Sequence, residues 1–171
     1  MKNKIFETFL LIGFIFINSI SLANSNEEIN FSITEIEVSK NGNLIVGKKG
    51  GKAKTIDGYE ITGKNFVYNK LTNILFVSGN VRMFSEINGT IIFSDKATYL
   101  KNDELIFTEG NSKAEGSNSI LSATKFKYDK KQNIIVAEDN VIFLDQEKKT
   151  EISSDKATYL KNDELIFTEG N

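Results

Sequence analysis

The chain has 171 residues and a formal net charge of -2, enough for one domain and nothing that draws nucleic acid by bulk charge. It contains no Cys, His, Trp or Pro, which removes disulfides, thiol nucleophiles, thiolate metal sites and imidazole acid–base chemistry. Carboxylates remain, but they scatter through turns and polar faces, so no enzyme activity, metal centre or cofactor is expected.

In chain order, Lys2 and Lys4 precede the apolar run FLLIGFIFI at Phe9–Ile17, and Ser21 and Ala23 follow at the spacing of a small-residue cleavage site. This three-part pattern predicts a secretory signal peptide over residues 1–23 and a mature chain from Asn24. The run is short for a membrane span; an uncleaved anchor is the alternative. Export of a Cys-free chain fits the periplasm of a diderm bacterium. FSITEIEV, NLIVG and KAKTI then read as strands parted by SKNGN and KKGG, and Asp57–Gly58 reads as a hairpin turn.

From there the chain repeats. SDKATYLKNDELIFTEGN occurs at Ser94–Asn111 and returns letter for letter at Ser154–Asn171. A looser relative occupies Lys64–Val81 and Thr124–Val141. Tyr68, Tyr99, Tyr128 and Tyr159 are spaced 31, 29 and 31 residues, and an Asn follows each by 12: Asn80, Asn111, Asn140 and Asn171. Each unit of about 30 residues, a length typical of repeat architectures, reads as a strand ending at Tyr, a polar turn (NKLTN, LKNDE, DKKQN, LKNDE) and an apolar strand. No segment past the signal keeps a helical period, so the class is all-β: tandem hairpins sharing a continuous core.

Counting five residues in each turn places Tyr68 opposite Ile74 and Phe66 opposite Phe76. The same count pairs Tyr99 with Leu105 and Ala97 with Phe107, Tyr128 with Ile134 and Phe126 with Val136, then Tyr159 with Leu165 and Ala157 with Phe167. Side chains alternate across a strand, so these residues are expected on one inner face. That face is either the closed core of a structural β-repeat, such as a surface stalk, or the lining of an apolar groove.

The pattern F-x-Y-[ND]-K-x-x-N-I-[LI]-x-[VA]-x-[GD]-N-V, carried by Phe66–Val81 and Phe126–Val141 and preceded by the Asp57–Gly58 turn and a strand, resembles the OstA-like (organic solvent tolerance) family. This family holds the periplasmic lipopolysaccharide-transport bridge protein and the N-terminal domain of the outer-membrane lipopolysaccharide-assembly protein. The resemblance runs from about Phe31 to Asn171. It implies a V-shaped antiparallel β-jellyroll over residues 24–171 whose edges join other jellyrolls head to tail. It also implies a groove for lipid A acyl chains lined by Phe66, Tyr68, Ile74, Phe76, Tyr99, Leu105, Phe107, Phe126, Tyr128, Ile134, Val136, Tyr159, Leu165 and Phe167. Lipopolysaccharide, other OstA-like jellyrolls and the outer-membrane lipopolysaccharide translocon are the implied partners, and the periplasm, with a tether at the outer membrane if the chain is longer, is the implied place. The outer-membrane member continues into a transmembrane barrel, and some members carry disulfide cysteines; neither feature is in this sequence. The second copy stops at the close of its apolar strand, from which a longer parent protein is expected.

Overall fold

The computed structural model describes residues 29–170; the expected signal peptide lies outside the described residues. Eleven strands form one antiparallel sheet: β1 (Ile29–Ser39), β2 (Leu44–Thr55), β3 (Tyr59–Gly63), β4 (Asn65–Asn69), β5 (Ile74–Ser85), β6 (Ile91–Leu100), β7 (Leu105–Glu115), β8 (Ser119–Asp129), β9 (Ile134–Asp145), β10 (Thr150–Leu160) and β11 (Leu165–Glu169). Neighbours along the sheet are neighbours in sequence, except that β3 and β4 share one position between β2 and β5. NLIVG and KAKTI, expected as separate strands, are the two ends of β2. Lys49 and Gly50 take left-handed φ values of 62° and 86° inside it, so KKGG bends the strand rather than ending it.

Every long strand from β5 to β10 slips register once near its middle. On β5, β7 and β9 the slip falls at Gly79–Asn80, Gly110–Asn111 and Asp139–Asn140, where both residues have positive φ. The Asn that follows Tyr68, Tyr99 and Tyr128 by 12 residues is therefore a corner residue, chosen because Asn tolerates the left-handed region. Its Gly partner is fixed more tightly: a Cβ on Gly110 would lie 2.3 Å from the Asp95 carboxylate. Asn111 and Asn140 also reach sideways to the preceding strand, donating to Asp95 Oδ2 at 2.9 Å and Thr124 Oγ1 at 3.2 Å.

These corners fold the sheet onto itself. Phe31 pairs in register with Ala53, and Tyr68 with Ile45. Along a straight strand those two levels of β2 would stand roughly 26 Å apart, yet the Phe31 and Tyr68 rings are 5.7 Å apart. Phe143 and Tyr159 repeat the relation at the other end of the sheet, at 5.5 Å. The result is a V-shaped jellyroll. One wall carries the strand halves next to the repeat turns, the other the halves next to the connections at Ile56–Gly58, Glu86–Thr90, Gly116–Asn118 and Gln146–Lys149. The corners form its spine, and the two sets of turns meet at its mouth. β1 and β11 each pair with one neighbour only, so both outer edges are open among the described residues.

The repeat turns hold four residues, not five. Asn69 pairs with Ile74, Leu100 with Leu105, Asp129 with Ile134 and Leu160 with Leu165. The last turn residue, Asn73, Glu104, Asn133 or Glu164, takes a left-handed φ of 53–57° that returns the chain to the ladder. Tyr68 therefore faces Leu75, and Phe66 faces Val77. A slip of one residue moves a strand's side chains to the other face, so the expected register is corrected on the second strand of every unit.

Candidate functional site

The interior between the walls is mainly apolar from β1 to β10, interrupted by hydroxyl groups such as the buried Thr108–Ser112 pair. Its repeat-side wall carries Phe66, Tyr68, Leu75, Val77, Tyr99, Ile106, Phe126, Tyr128, Ile135 and Ala137, all buried; the opposite wall carries Ala53, Ile61, Val81, Met83, Ile92, Leu121, Val141 and Phe143. Of the residues expected to line the interior, Phe66, Tyr68, Tyr99, Phe126, Tyr128 and Tyr159 do face it. Ile74, Phe76, Leu105, Phe107, Ile134, Val136, Leu165 and Phe167 do not. The four-residue turn puts them on the outer face, half-buried or exposed, with Phe167 57% exposed on the edge strand. Their positions on the inner face are taken by Leu75, Val77, Ile106, Thr108, Ile135 and Ala137, all buried, and on the edge strand by the half-buried Ile166 and the exposed Thr168. Ala97 and Ala157 accordingly stand beside Thr108 and Thr168, not Phe107 and Phe167.

The recurrent Tyr marks the top of the interior, where the ring stays apolar and the hydroxyl reaches the mouth. In two units the hydroxyl caps its own turn: Tyr68 Oη donates to Asn73 Oδ1, and Tyr128 Oη to Asn133 Oδ1, both at 2.9 Å. In the verbatim units the turn ends in Glu, and the hydroxyls cross the mouth instead. Tyr99 Oη donates to Asp57 Oδ2 at 2.8 Å, and Tyr159 Oη lies 3.4 Å from Ser119 Oγ.

The first residue of each repeat turn is a lysine: Lys70, Lys101, Lys130 and Lys161. Two of them close the mouth. Lys130 Nζ pairs with the Asp57 carboxylate and lies over the Tyr59 and Tyr99 rings, 4.5 and 4.8 Å from their centroids. Its side chain is only 7% exposed. Burial alone would push the Asp57 carboxyl up, but the contacts from Lys130 and the Tyr99 hydroxyl outweigh it and hold the pKa below the ordinary carboxylate value. The same burial pushes the Tyr59, Tyr99 and Tyr128 phenols above theirs, so all three stay protonated donors. A cavity of about 450 Å³ sits here, bounded by Asp57, Tyr59, Ser85, Asn88, Tyr99, Tyr128 and Lys130.

One repeat further on, Lys161 Nζ donates to Thr90 Oγ1 at 2.8 Å and lies 5.2 Å from the centre of the Tyr128 ring. Desolvation brings its pKa down to about 8. Beside it a second cavity, of about 230 Å³, has an apolar floor of Leu121, Ile135, Phe143 and Tyr159 and a polar rim. The sequence pattern gives Asp57 a turn role only and does not single out Thr90 or these lysines. The only hint is that each turn opens with Lys, which the sequence alone reads as solvated turn chemistry.

The family model described as lipopolysaccharide-assembly, LptC-related, matches residues 40–141, more than half of the chain. Among solved structures the fold is shared with LptH, the LptA-homologous periplasmic component of the conserved lipopolysaccharide transport device from Pseudomonas aeruginosa. The TM-score is 0.59 at 14% identity, over 65% of this chain and 82% of that one. Among curated proteins no match is found.

Proposed function

The chain belongs to the LptC-related lipopolysaccharide-assembly family, and on that premise we propose that it is a periplasmic link that holds the acyl chains of lipopolysaccharide between its two walls. The observation that carries this reading is the inner face itself, apolar in each repeat except at Thr108 and Thr168, with both cavities at the mouth. Removing acyl chains from water yields about 0.8 kcal/mol per CH₂, and aliphatic and aromatic walls supply that without any hydrogen bond. Passing the lipid to a similar interior is then near neutral in free energy. The chain is a conduit without catalysis, and direction comes from elsewhere in the transport system.

The open edges at β1 and β11 suit strand addition by other jellyrolls of the same kind. We place the chain in such a head-to-tail array leading to the outer-membrane translocon. Residues 1–23 are assigned as the export signal.

A structural module with a closed core is the second reading. It is favoured by the packing at the centre, where Ala53, Phe66, Leu75 and Ala137 are fully buried. Carriage requires the walls to part at the mouth; a closed module never opens. Photo-crosslinking in cells separates them. A crosslinker at Ile135, inside and beside the mouth, is expected to capture lipopolysaccharide, and one at Val136, on the outer face, is not. Equal capture, or none from Ile135, favours the closed module.

A further inference from the structure

Lys130 and Lys161 open corresponding turns, and both reach across the mouth to the turn set opposite. Lys130 meets a carboxylate there, Asp57. Lys161 meets only the Thr90 hydroxyl and the face of Tyr128, and no carboxylate lies within ion-pair distance of it among the described residues. A half-buried ammonium without a counter-charge is unfavourable; its desolvation is the sole cause of its lowered pKa. The repeat has thus built one mouth contact with its anion included and the next with the anion left out.

What stands next to the unpaired ammonium restricts the ligand. The apolar floor of the 230 Å³ cavity begins beside it, at Ile135, Leu121 and Phe143. The rim carries Asn118, Glu115, Asp145 and Glu147, with Glu164 on Lys161's own turn, all able to accept hydrogen bonds from hydroxyl groups. Lys148, also on the rim, is already paired with Asp145 at 3.4 Å. A bare anion would gain from Lys161 but meet those carboxylates. A sugar phosphate on an acyl chain satisfies all three features: phosphate at the ammonium, sugar hydroxyls at the acidic rim, hydrocarbon on the floor.

We infer that Lys161, with the Thr90 hydroxyl, forms the phosphate subsite for a phosphorylated glycolipid whose acyl chains enter the interior beside it. This rests on the lipid-carrying reading above and adds where the head group is held.

The test uses the exported chain and three probes in detergent: diphosphoryl lipid A, the same lipid stripped of phosphate, and inorganic phosphate. Phosphate-free lipid reports on carriage alone. Lys161→Gln is expected to weaken diphosphoryl lipid A about tenfold, the scale of one charge-assisted hydrogen bond, and to leave the phosphate-free form unchanged. Lys161→Arg is expected to restore binding. Equal loss for both lipids would make Lys161 a structural residue, and no loss for either would remove it from the site; both overturn the subsite. Inorganic phosphate binding as tightly as the lipid overturns its assignment to a lipid head group. Failure of the phosphate-free lipid to bind the parent chain defeats the carriage reading, and the subsite falls with it.

Discussion

Tyr99 donates its hydroxyl to Asp57 at 2.8 Å although 42 positions separate them, and the same carboxylate holds the buried ammonium of Lys130. Three groups from three parts of the chain meet only when both walls are in place, so this cluster clamps one end of the mouth. Removing the carboxylate leaves the buried Lys130 with the Tyr99 hydroxyl and two aromatic rings but no counter-charge. Asp57→Ala is expected to lower unfolding free energy by about 2–3 kcal/mol, somewhat under the cost of breaking a fully buried pair because Asp57 itself is partly exposed. Urea denaturation at neutral pH measures it.

The acid limb follows from the same carboxylate. Its folded pKa lies below the ordinary value, so the native state binds fewer protons than the unfolded chain near that value. The stabilisation is complete above the unfolded pKa and is lost as pH falls through the folded one. Asp57→Asn is expected to flatten the parent's loss of stability below about pH 4. An unchanged acid limb would show that Asp57 is not held ionised by the cluster.

Lys161 is shifted in the same direction, but here it is the charged form that the fold disfavours. Burial lowers its pKa to about 8, so between there and the ordinary lysine value the unfolded chain binds more protons, and stability rises with pH across that window. Below it the desolvated charge weighs on the fold in full. Lys161→Gln is therefore expected to be more stable than the parent at pH 7, with the difference shrinking as pH approaches 10. Paired denaturation curves at the two pH values check this. A constant difference would mean the ammonium is as well solvated folded as unfolded.

Leu75 and Phe76 test the register. Leu75 is fully buried and Phe76 is on the outer face. Leu75→Ala is expected to cost about 3 kcal/mol and Phe76→Ala about 1 kcal/mol or less. The reverse order would restore the five-residue turn.

That reversal of faces shows where the sequence stops being legible. Hairpins, corners and the all-β class can be read from Tyr–Asn spacing and polar turns, because those signals are local. The register cannot, because ILFV, LIFT, IIVA and LIFT are apolar at nearly every position. With apolar side chains on both faces, alternation does not say which is inside, and a single left-handed residue at Asn73, Glu104, Asn133 or Glu164 decides it. The mouth was hidden for a different reason: Asp57, Thr90, Lys130 and Lys161 meet through contacts spanning about 70 residues. The verbatim copies make the point most directly. Tyr99 is fully buried against Asp57, whereas Tyr159, in the same 18 letters, is half-buried beside Ser119.

β11 is five residues long, pairs only with β10 among the described residues, and leaves Leu165 and Phe167 about half exposed. Its free backbone groups form a template for another strand, and Glu164 and Glu169 are its only charged guards. β1 offers the complementary edge at the other end of the sheet, with Ile36 and Val38 also exposed. Joining β11 of one copy to β1 of the next is a heterologous contact, which does not close on itself and grows with concentration. The exported chain is expected to self-associate reversibly in sedimentation experiments over a wide concentration range. Ile166→Pro, which removes a backbone donor and bends the strand, is expected to return it to monomer. Phe167→Lys, which keeps the strand and adds a charged guard to its outer face, is expected to do the same. A parent chain that remains monomeric throughout would show that these edges do not recognise one another and would leave strand addition to a different partner. Association that survives both substitutions would place the contact away from β11.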